Sequence, residues 1–347
     1  MPDAALPPIL AGLVLGAVLA GAVGLSADRL GRRLGLLDIP DPVGGRKVHT
    51  RITPLVGGIG VLAATLAGLL LPGVATGLAT GWFGLVVAGM FLVGLADDRF
   101  ELSAPFRFLF AAGFLLLAIL QVPDFRLSFL LFHGQDRLVL LPGLLGIAFS
   151  LVCLLGFLNA VNMADGKNGL VIGQALVWTV VLVIRLPLEQ APLMAALGGA
   201  LAILFLFNMQ GRLFLGDSGS YCISATYGLL AIHAWNNGFD RMCADDIAVI
   251  FALPVFDTLR LIVHRVAAGR TPFTPGRDHL HHYLYERWGW PRPLPWVLAL
   301  VVVTNAGTLL WPGTALVWLL VAFMGYLALL WAARRGLRPA VRPTGGG

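Results

Sequence analysis

The sequence predicts an all-α polytopic membrane protein with about eleven transmembrane helices; ten is the alternative count. Three observations predict this fold class. Of the 347 residues, 58% are hydrophobic and only 12% are charged, which is about half the charged fraction of a soluble domain. Apolar runs of about 20 residues, long enough to cross a bilayer as helices, recur along the chain. Lysine and arginine concentrate in alternate connecting segments, as expected for cytoplasmic loops.

These apolar runs are too long and too apolar for the strands of a membrane barrel, so each is expected to be helical. The first run has no basic segment before it, which predicts a transmembrane helix and not a cleaved signal peptide. A turn-like interruption predicts a small β-hairpin on the outside near 125–140. The spans are predicted near 7–26, 54–72, 80–96, 104–121, 141–161, 168–186, 191–208, 217–235, 246–265, 294–311 and 313–332.

The distribution of basic residues predicts the orientation. With the N-terminus outside, 20 of the 24 lysines and arginines fall in inside segments and 4 in outside segments, so the C-terminus is predicted to be cytoplasmic. Topology therefore explains the net charge of +6, and no nucleic acid is expected as a partner. One integral-membrane domain is predicted over 1–335, followed by a disordered tail over 336–347.

The three cysteines predict neither a disulfide framework nor a thiolate metal site. Their number is odd, and no CxxC pair is present. They stand far apart in the chain, at Cys153, Cys222 and Cys243.

Five polar clusters interrupt the apolar runs, at 46–58, 97–107, 159–169, 208–220 and 272–282. All five fall on the predicted cytoplasmic side, so distant helix ends are expected to meet in one cleft there. In the first cluster, Lys47 and His49 are candidates for holding phosphate. The glycine pair that follows, at 57–58, either lets an anion approach the backbone or serves helix packing.

Acidic and amide side chains dominate the second and third clusters. Asp97 and Asp98 end an apolar helix, where the helix dipole disfavours acids, so a bound cation or a proton-transfer role is favoured over a solvated helix end. Asn159, Asn162 and Asp165 recur at helical spacing and are expected to share one helix face. Their hard oxygen atoms suit Mg²⁺ or a hydrogen-bonded sugar or base, and packing between helices is the alternative.

The fourth and fifth clusters combine glycine, acid and histidine. Asp217, beside Gly216, opens an apolar helix either as an N-cap or as part of an anion- or metal-binding turn. His279 and His281 are expected to point the same way in an extended loop. Neither an HExxH motif nor a cysteine ligand accompanies them, so phosphate binding fits this segment better than zinc.

Together, these five ordered clusters resemble the polyprenyl-phosphate N-acetylhexosamine-1-phosphate transferases, from about Lys47 to His282. The histidine segment is similar to the corresponding segment of the branch that initiates O-antigen and teichoic acid synthesis. The phospho-MurNAc-pentapeptide translocase is a related member of the family. The resemblance implies transfer of a sugar-1-phosphate, expected to be an N-acetylhexosamine-1-phosphate, from a UDP-sugar to a polyprenyl phosphate, with undecaprenyl phosphate expected. It also implies release of UMP at the cytoplasmic face of a bacterial inner membrane.

By position, the resemblance implies roles for individual residues. Asp97, Asp98 and Asp217 are expected to be catalytic, and Asn162 and Asp217 to bind Mg²⁺, with Mn²⁺ as the alternative ion. Membrane lipids are expected as partners of the protein. A homodimer is an open alternative to a monomer. The expected substrate-binding residues are Lys47, His49, Arg107, Asn159, Asp165, Asn168, Arg212, Arg277, His279, His281 and His282.

Three positions depart from the family pattern. Asn168 replaces the second aspartate of a DGxDG motif, and the segment before Asp217 reads Gln210-Gly211-Arg212 in place of Pro-Ala-Lys/Arg. Gly276 stands where an acid usually precedes the loop arginine. These differences affect the expected uridine contacts and sugar specificity, and they leave the acidic and metal positions intact.

Other protein classes explain the pattern less well. A transporter would place its acids near the bilayer midplane and show paired repeats, whereas here the acids collect at one side and no repeat is visible. The DGxxAR…GxxxDxxxD run of CDP-alcohol phosphotransferases is absent. A scaffold protein would leave five polar clusters on one side unexplained.

Overall fold

The computed structural model describes residues 6–40, 51–74, 78–238, 242–271, 276 and 278–335. These residues form fourteen α-helices and four strands of two residues each. The helices are α1 (Leu6–Leu25), α2 (Ala27–Leu34), α3 (Gly57–Leu69), α4 (Thr80–Phe100), α5 (Ala104–Gln121), α6 (Leu144–Ala164), α7 (Leu170–Arg185), α8 (Ala191–Met209), α9 (Gly216–Gly238), α10 (Ala244–Ile250), α11 (Ala252–Ala267), α12 (Leu280–Trp288), α13 (Leu294–Leu310) and α14 (Ala315–Arg334).

The predicted all-α membrane class is confirmed, and a helix lies at each of the eleven predicted spans. Six helices are long and apolar enough to cross a membrane, and α10 with α11, bent by 82°, makes a seventh if the pair is one span. The helices α3, α7 and α13 are apolar but shorter. Helix α9 is continuous, but serines stand within its apolar sequence. The chain is therefore a multi-pass membrane protein, while the count of eleven crossings stays a prediction.

The hairpin predicted near 125–140 is confirmed, while its placement on the outside stays a prediction. Strands β3 (Phe129–Leu130) and β4 (Val139–Leu140) pair antiparallel, with Phe129 opposite Leu140. A second pair was not predicted: β1 (Leu37–Asp38) pairs with β2 (Thr53–Pro54). That pair flanks residues 41–50, so the predicted phosphate-binding Lys47 and His49 lie outside the described residues, as do Arg277 and the tail 336–347.

Helices α1 and α8 pack through a glycine. A Cβ atom at Gly16 would lie only 1.8 Å from the carbonyl oxygen of Ala196. Hydrophobic driving force is weak between helices in lipid, so such close backbone approach supplies the van der Waals contact that holds them together. Large apolar side chains on outer helices, such as Leu144 at 81% exposure, face outward, where lipid would cover them.

Helix α9 lies at the centre of the bundle and contacts α3, α4, α6 and α7. Two of its serines bond along the helix: the Ser220 hydroxyl donates to the Asp217 carbonyl at 3.2 Å, and the Ser224 hydroxyl donates to the Ser220 carbonyl at 2.6 Å. A Cβ at Gly94 of α4 would lie 2.4 Å from the carbonyl oxygen of Asp217. This close approach brings the C-terminal end of α4 against the N-terminal turn of α9.

Candidate active site

Four helix ends meet where the second, third and fourth polar clusters were expected to converge. Helices α4 and α6 end there, and α5 and α9 begin there. Glu101 ends α4 in a left-handed conformation, with φ at 50° and its N–H bonded to the Asp97 carbonyl. Ser103 is extended, and Pro105 lies in the first turn of α5. This short turn returns Arg107 over the acids of α4.

The carboxylate of Asp98 caps the start of α9. It accepts the N–H of Asp217 at 2.8 Å and the N–H of Ser218 at 2.9 Å, with one oxygen atom for each. The first N–H groups of a helix have no partner within the helix and carry positive partial charge, so a carboxylate there is stabilised. Asp217 itself lies inside the first turn of α9 and is not the N-cap.

Arg107 joins the two other acids of the cluster. Its guanidinium donates to Oδ2 of Asp97 at 2.5 Å and lies 3.7 Å from Oδ2 of Asp217. The Asp97 side chain is 5% exposed, whereas that of Asp217 is 33% exposed. Asp217 is therefore the carboxylate that a bound ligand can reach directly, and Asp97 acts on the arginine from beneath.

Asn162 completes this cluster from α6. Its amide nitrogen donates to Oδ1 of Asp217 at 2.6 Å and to the Ser220 hydroxyl at 3.0 Å. The structure therefore brings together Asp97, Asp98, Arg107, Asn162 and Asp217, which the sequence placed in three separate clusters.

The donors of this cluster fit a hard divalent cation. Carboxylate and amide oxygens are the ligands that Mg²⁺ takes in proteins. The helix start balances Asp98, and one guanidinium serves both Asp97 and Asp217, so the two carboxylates carry one negative charge more than Arg107 balances. A cation held by Asp217 and the Asn162 amide oxygen would remove that imbalance.

Asp165 follows the end of α6 and adds a further acid nearby. Burial raises its pKa to about 7, and the negative charge of Asp98 adds to the shift. The Asn159 amide donates to the Leu155 carbonyl of its own helix at 2.8 Å.

Asn208 braces the loop that follows Asp165, a role the sequence analysis did not assign. Its amide oxygen accepts the Gly169 N–H at 2.6 Å, and its amide nitrogen donates to the Leu213 carbonyl at 3.0 Å. The Asn168 carbonyl accepts the indole N–H of Trp290 at 2.8 Å. The loop of the third cluster is thus bound to the turn of the fourth through the Asn208 side chain.

The histidine segment is the start of a helix, so the expected extended loop is wrong. His279 precedes α12, and His281 and His282 lie in its first turn. The rings of His279 and His281 still stack, with centroids 5.3 Å apart. Burial lowers the pKa of His281 well below its ordinary value, and the neighbouring His282 and His279 add to this shift, so His281 is a neutral imidazole.

Asp257 of α11 holds this histidine segment, and the sequence analysis missed it. Its carboxylate lies 3.0 Å from Nδ1 of His279 and accepts the Leu280 N–H at 3.2 Å. Arg260 donates to it at 2.9 Å and Tyr326 at 3.0 Å. The available signal was an acid inside an apolar run with a base one turn later, because ionisable residues in membrane helices are functional candidates by default.

His281 connects the histidine segment to the third cluster. A Cβ at Gly166 would lie 2.1 Å from Nε2 of His281, so the imidazole rests on the glycine of the loop after α6. Lys167 stacks over the ring of Tyr285 on α12, with Nζ 3.9 Å from the centroid. The fifth cluster therefore borders the same site.

Arg212 and the glycine pair at 57–58 do not join this cluster. The guanidinium of Arg212 stacks over the Phe207 ring at 4.7 Å, and its side chain is exposed. The N–H groups of Gly57 and Gly58 donate to the carbonyls of Phe214 and Leu215 at 3.0 and 3.1 Å. Since those donors are occupied, the glycine pair serves packing, which was one of its two predicted roles.

Comparison with known proteins identifies similar transferases. The model of a family described as Glycosyl transferase family 4 matches residues 81–234, which include α4 to most of α9. A probable undecaprenyl-phosphate N-acetylglucosaminyl 1-phosphate transferase of Bacillus subtilis is 27% identical over 278 residues, covering 74% of this chain and 71% of the relative.

Two other relatives have related names. A decaprenyl-phosphate N-acetylglucosaminephosphotransferase of Mycolicibacterium smegmatis is 29% identical over 274 residues, covering 70% of this chain and 67% of the relative. An undecaprenyl-phosphate alpha-N-acetylglucosaminyl 1-phosphate transferase of Yersinia pestis is 29% identical over 296 residues, covering 82% and 77%. The fold and site are those of a multi-pass membrane phosphotransferase. The family model and the names of these relatives support the polyprenyl-phosphate hexosamine-1-phosphate transferase family for this chain.

Proposed function

We propose that this protein transfers N-acetylhexosamine-1-phosphate from a UDP-sugar to a polyprenyl phosphate and releases UMP. The observation that carries the proposal is the cluster of Asp217 with Asn162 and Arg107 at converging helix ends, because phosphoryl transfer requires mainly positioning and neutralisation of charge. The names of the three relatives support N-acetylglucosamine as the sugar and undecaprenyl or decaprenyl phosphate as the acceptor.

In the proposed reaction, an oxygen of the lipid phosphate attacks the phosphorus that bears the sugar. A new P–O bond forms to the lipid phosphate, and the P–O bond to the uridine phosphate breaks, so UMP leaves with the bridging oxygen. A phosphate dianion is a nucleophile near neutral pH, so little help from a general base is needed. The products are the polyprenyl-diphospho-sugar and UMP.

Each side chain has a proposed task in this step. Asp217 and Asn162 would hold Mg²⁺, with Mn²⁺ as the alternative, and a bound ion would supply positive charge to the diphosphate oxygens. Arg107, oriented by Asp97, neutralises charge on the lipid phosphate. Asp98 uses both oxygens to cap α9, which favours positioning of Asp217 over the proton-transfer role expected from its place at a helix end.

The histidine segment borders the site where the donor would lie. We propose that His279 and His281 donate hydrogen bonds to phosphate oxygens, His281 as a neutral group because burial lowers its pKa. Lys47, His49 and Arg277 remain proposed substrate contacts. The excess of basic residues on one side supports a bacterial inner-membrane location with this site facing the cytoplasm.

UMP release tests the proposal. Purified protein in detergent would receive undecaprenyl phosphate, UDP-N-acetylglucosamine and Mg²⁺, and UMP would be measured with time. UMP release that requires both lipid and metal is expected, together with a loss of about 100-fold or more in Asp217→Asn, the magnitude typical of a removed electrostatic group. Asp136→Asn, an exposed acid in the hairpin, is the matched control. Lipid-independent UMP release would contradict the proposal.

A further inference from the structure

A second group of metal-ligand side chains lies at the hairpin end of the bundle, away from Asp217. It contains His133, Cys243, Asp245 and Asp246, and one ligand atom from each falls within 4.8 Å of the others. Helix α6 starts beside the hairpin and carries Asn162 near its other end. Its 21 residues span about 30 Å, so this group is separate from the proposed transfer site.

The two carboxylates of this group are buried. Asp245 is 2% exposed and Asp246 is 1% exposed. Arg185 pairs with Asp246 at 3.0 Å and balances one charge. Asp245 faces the imidazole of His133, whose Nδ1 lies 3.0 and 3.1 Å from its two oxygens. The group therefore keeps one negative charge unless a proton or a metal ion joins it, and buried charge without compensation is unfavourable.

The Cys243 thiol favours a metal ion over a proton as the group that balances the remaining negative charge. A protonated His133 would balance Asp245 and leave the Cys243 sulfur only its role as the N-cap of α10, where it accepts the Asp246 N–H. Imidazole, thiolate and two carboxylates instead form the N, S and O donor set that Zn²⁺ takes. At usual Zn–ligand lengths, tetrahedral ligand atoms lie about 3.3 to 3.7 Å apart. His133 Nε2 lies 3.6 Å from Oδ2 of Asp246, which agrees with that spacing.

The surroundings suit a structural metal. Asp246 also accepts the Cys243 N–H at 2.8 Å, and Arg185 holds the same carboxylate, as outer groups commonly orient ligands. The Ala244 N–H donates to the Leu131 carbonyl at 2.9 Å, so the chain at α10 already runs beside the hairpin. A metal here would fasten the hairpin to the start of α10.

We propose that His133, Cys243, Asp245 and Asp246 form a structural Zn²⁺ site at the hairpin end of the protein. This differs from the expectation that no thiolate metal site exists. That expectation came from local spacing, and His133 stands 110 residues before Cys243, so no short motif reveals the pair.

The test is metal binding by the full chain in detergent, purified with a tag that lacks histidine and then treated with a chelator. Zn²⁺ is expected to rebind with one ion per chain, measured by elemental analysis, in the presence of excess Mg²⁺. Co²⁺ is expected to give a thiolate charge-transfer absorption. Cys243→Ser should abolish that absorption, and His133→Gln should weaken Co²⁺ binding about 10-fold or more.

Matched controls separate ligation from misfolding. Cys153→Ser, which removes an exposed thiol, should leave the Co²⁺ spectrum unchanged. Zn²⁺ should raise the melting temperature of the wild type and of Cys153→Ser, and not that of Cys243→Ser. The proposal is overturned if the wild type binds neither ion at micromolar concentration, or if the Co²⁺ absorption persists in Cys243→Ser. If Cys243→Ser does not fold, the His133→Gln binding result decides alone.

Discussion

The carboxylate of Asp98, at the end of α4, accepts the backbone N–H of Asp217, at the start of α9, at 2.8 Å. Its second oxygen accepts the next N–H along, from Ser218. An acid that follows an apolar helix thus sits at the positive end of a different helix, where its charge is favourable. Asp98 therefore positions Asp217, although both acids were expected to be catalytic.

Substitution of Asp98 tests this division of roles. Asp98→Asn keeps one acceptor oxygen and should retain much of the UMP release, whereas Asp98→Ala should lower stability by about 1 to 2 kcal/mol, as loss of a helix cap does. UMP release and the melting temperature should fall together. If Asp98→Asn loses about 1,000-fold activity at an unchanged melting temperature, Asp98 acts as a base and the positioning role is wrong.

The contact of α4 with α9 gives a second prediction. Gly94→Ala would place a methyl group 2.4 Å from the Asp217 carbonyl oxygen, so the helices must separate. A loss of about 1 to 3 kcal/mol in stability is expected from such overpacking. UMP release should also need a higher Mg²⁺ concentration, because Asp217 is displaced. Gly113→Ala on α5 is the control, because a Cβ there meets no atom within 4 Å. Equal thermal stability of both variants would contradict the close approach.

Asp257 should affect binding of the UDP-sugar through its contacts with the histidine segment. Asp257→Asn removes the negative charge that pairs with Arg260 and faces His279, so the KM for the UDP-sugar should rise about 10-fold, with a smaller change in kcat. His279→Gln should add little in the Asp257→Asn background, since the two groups act as one unit.

A matched variant distinguishes this effect from general loss of charge near α12. Asp278→Asn changes the adjacent acid, which contacts Tyr283 at 3.3 Å, and its KM should stay near that of the wild type. Full additivity of Asp257→Asn and His279→Gln would show that the two side chains act independently.

The raised pKa of Asp165 predicts how stability changes with pH. Its pKa is about 7 in the folded protein and 3.8 in the unfolded reference, so between these values the folded state binds more protons. Stability should therefore be greatest below about pH 4 for this group and should fall as pH rises to about 7. In chelator, the melting temperature of Asp165→Asn should decline less between pH 5 and pH 8 than that of the wild type. An identical decline would show that Asp165 is not buried as described.

Much of the membrane architecture was predictable because it depends on local composition. A helix is the structure that satisfies its own backbone in lipid, so apolar length located each predicted span, and the turn at 125–140 identified the hairpin. The convergence of Asp97, Asn162 and Asp217 followed from topology, since alternate helix ends share one side. The extended histidine loop failed because α12 starts at Leu280, held by the distant Asp257.

The sequence by itself determined the class of protein, the helical spans and the acids and amides that gather at one end, because hydropathy and residue type act along short stretches of chain. Only the tertiary structure decided what each polar group contacts. Asp98 became a helix cap, Asp257 an anchor for His279, and Cys243 a neighbour of His133, since hydrogen bonds and ion pairs require atoms within about 3 to 4 Å. Helix packing at positions such as Gly94 sets those distances, and sequence spacing carries no direct record of them.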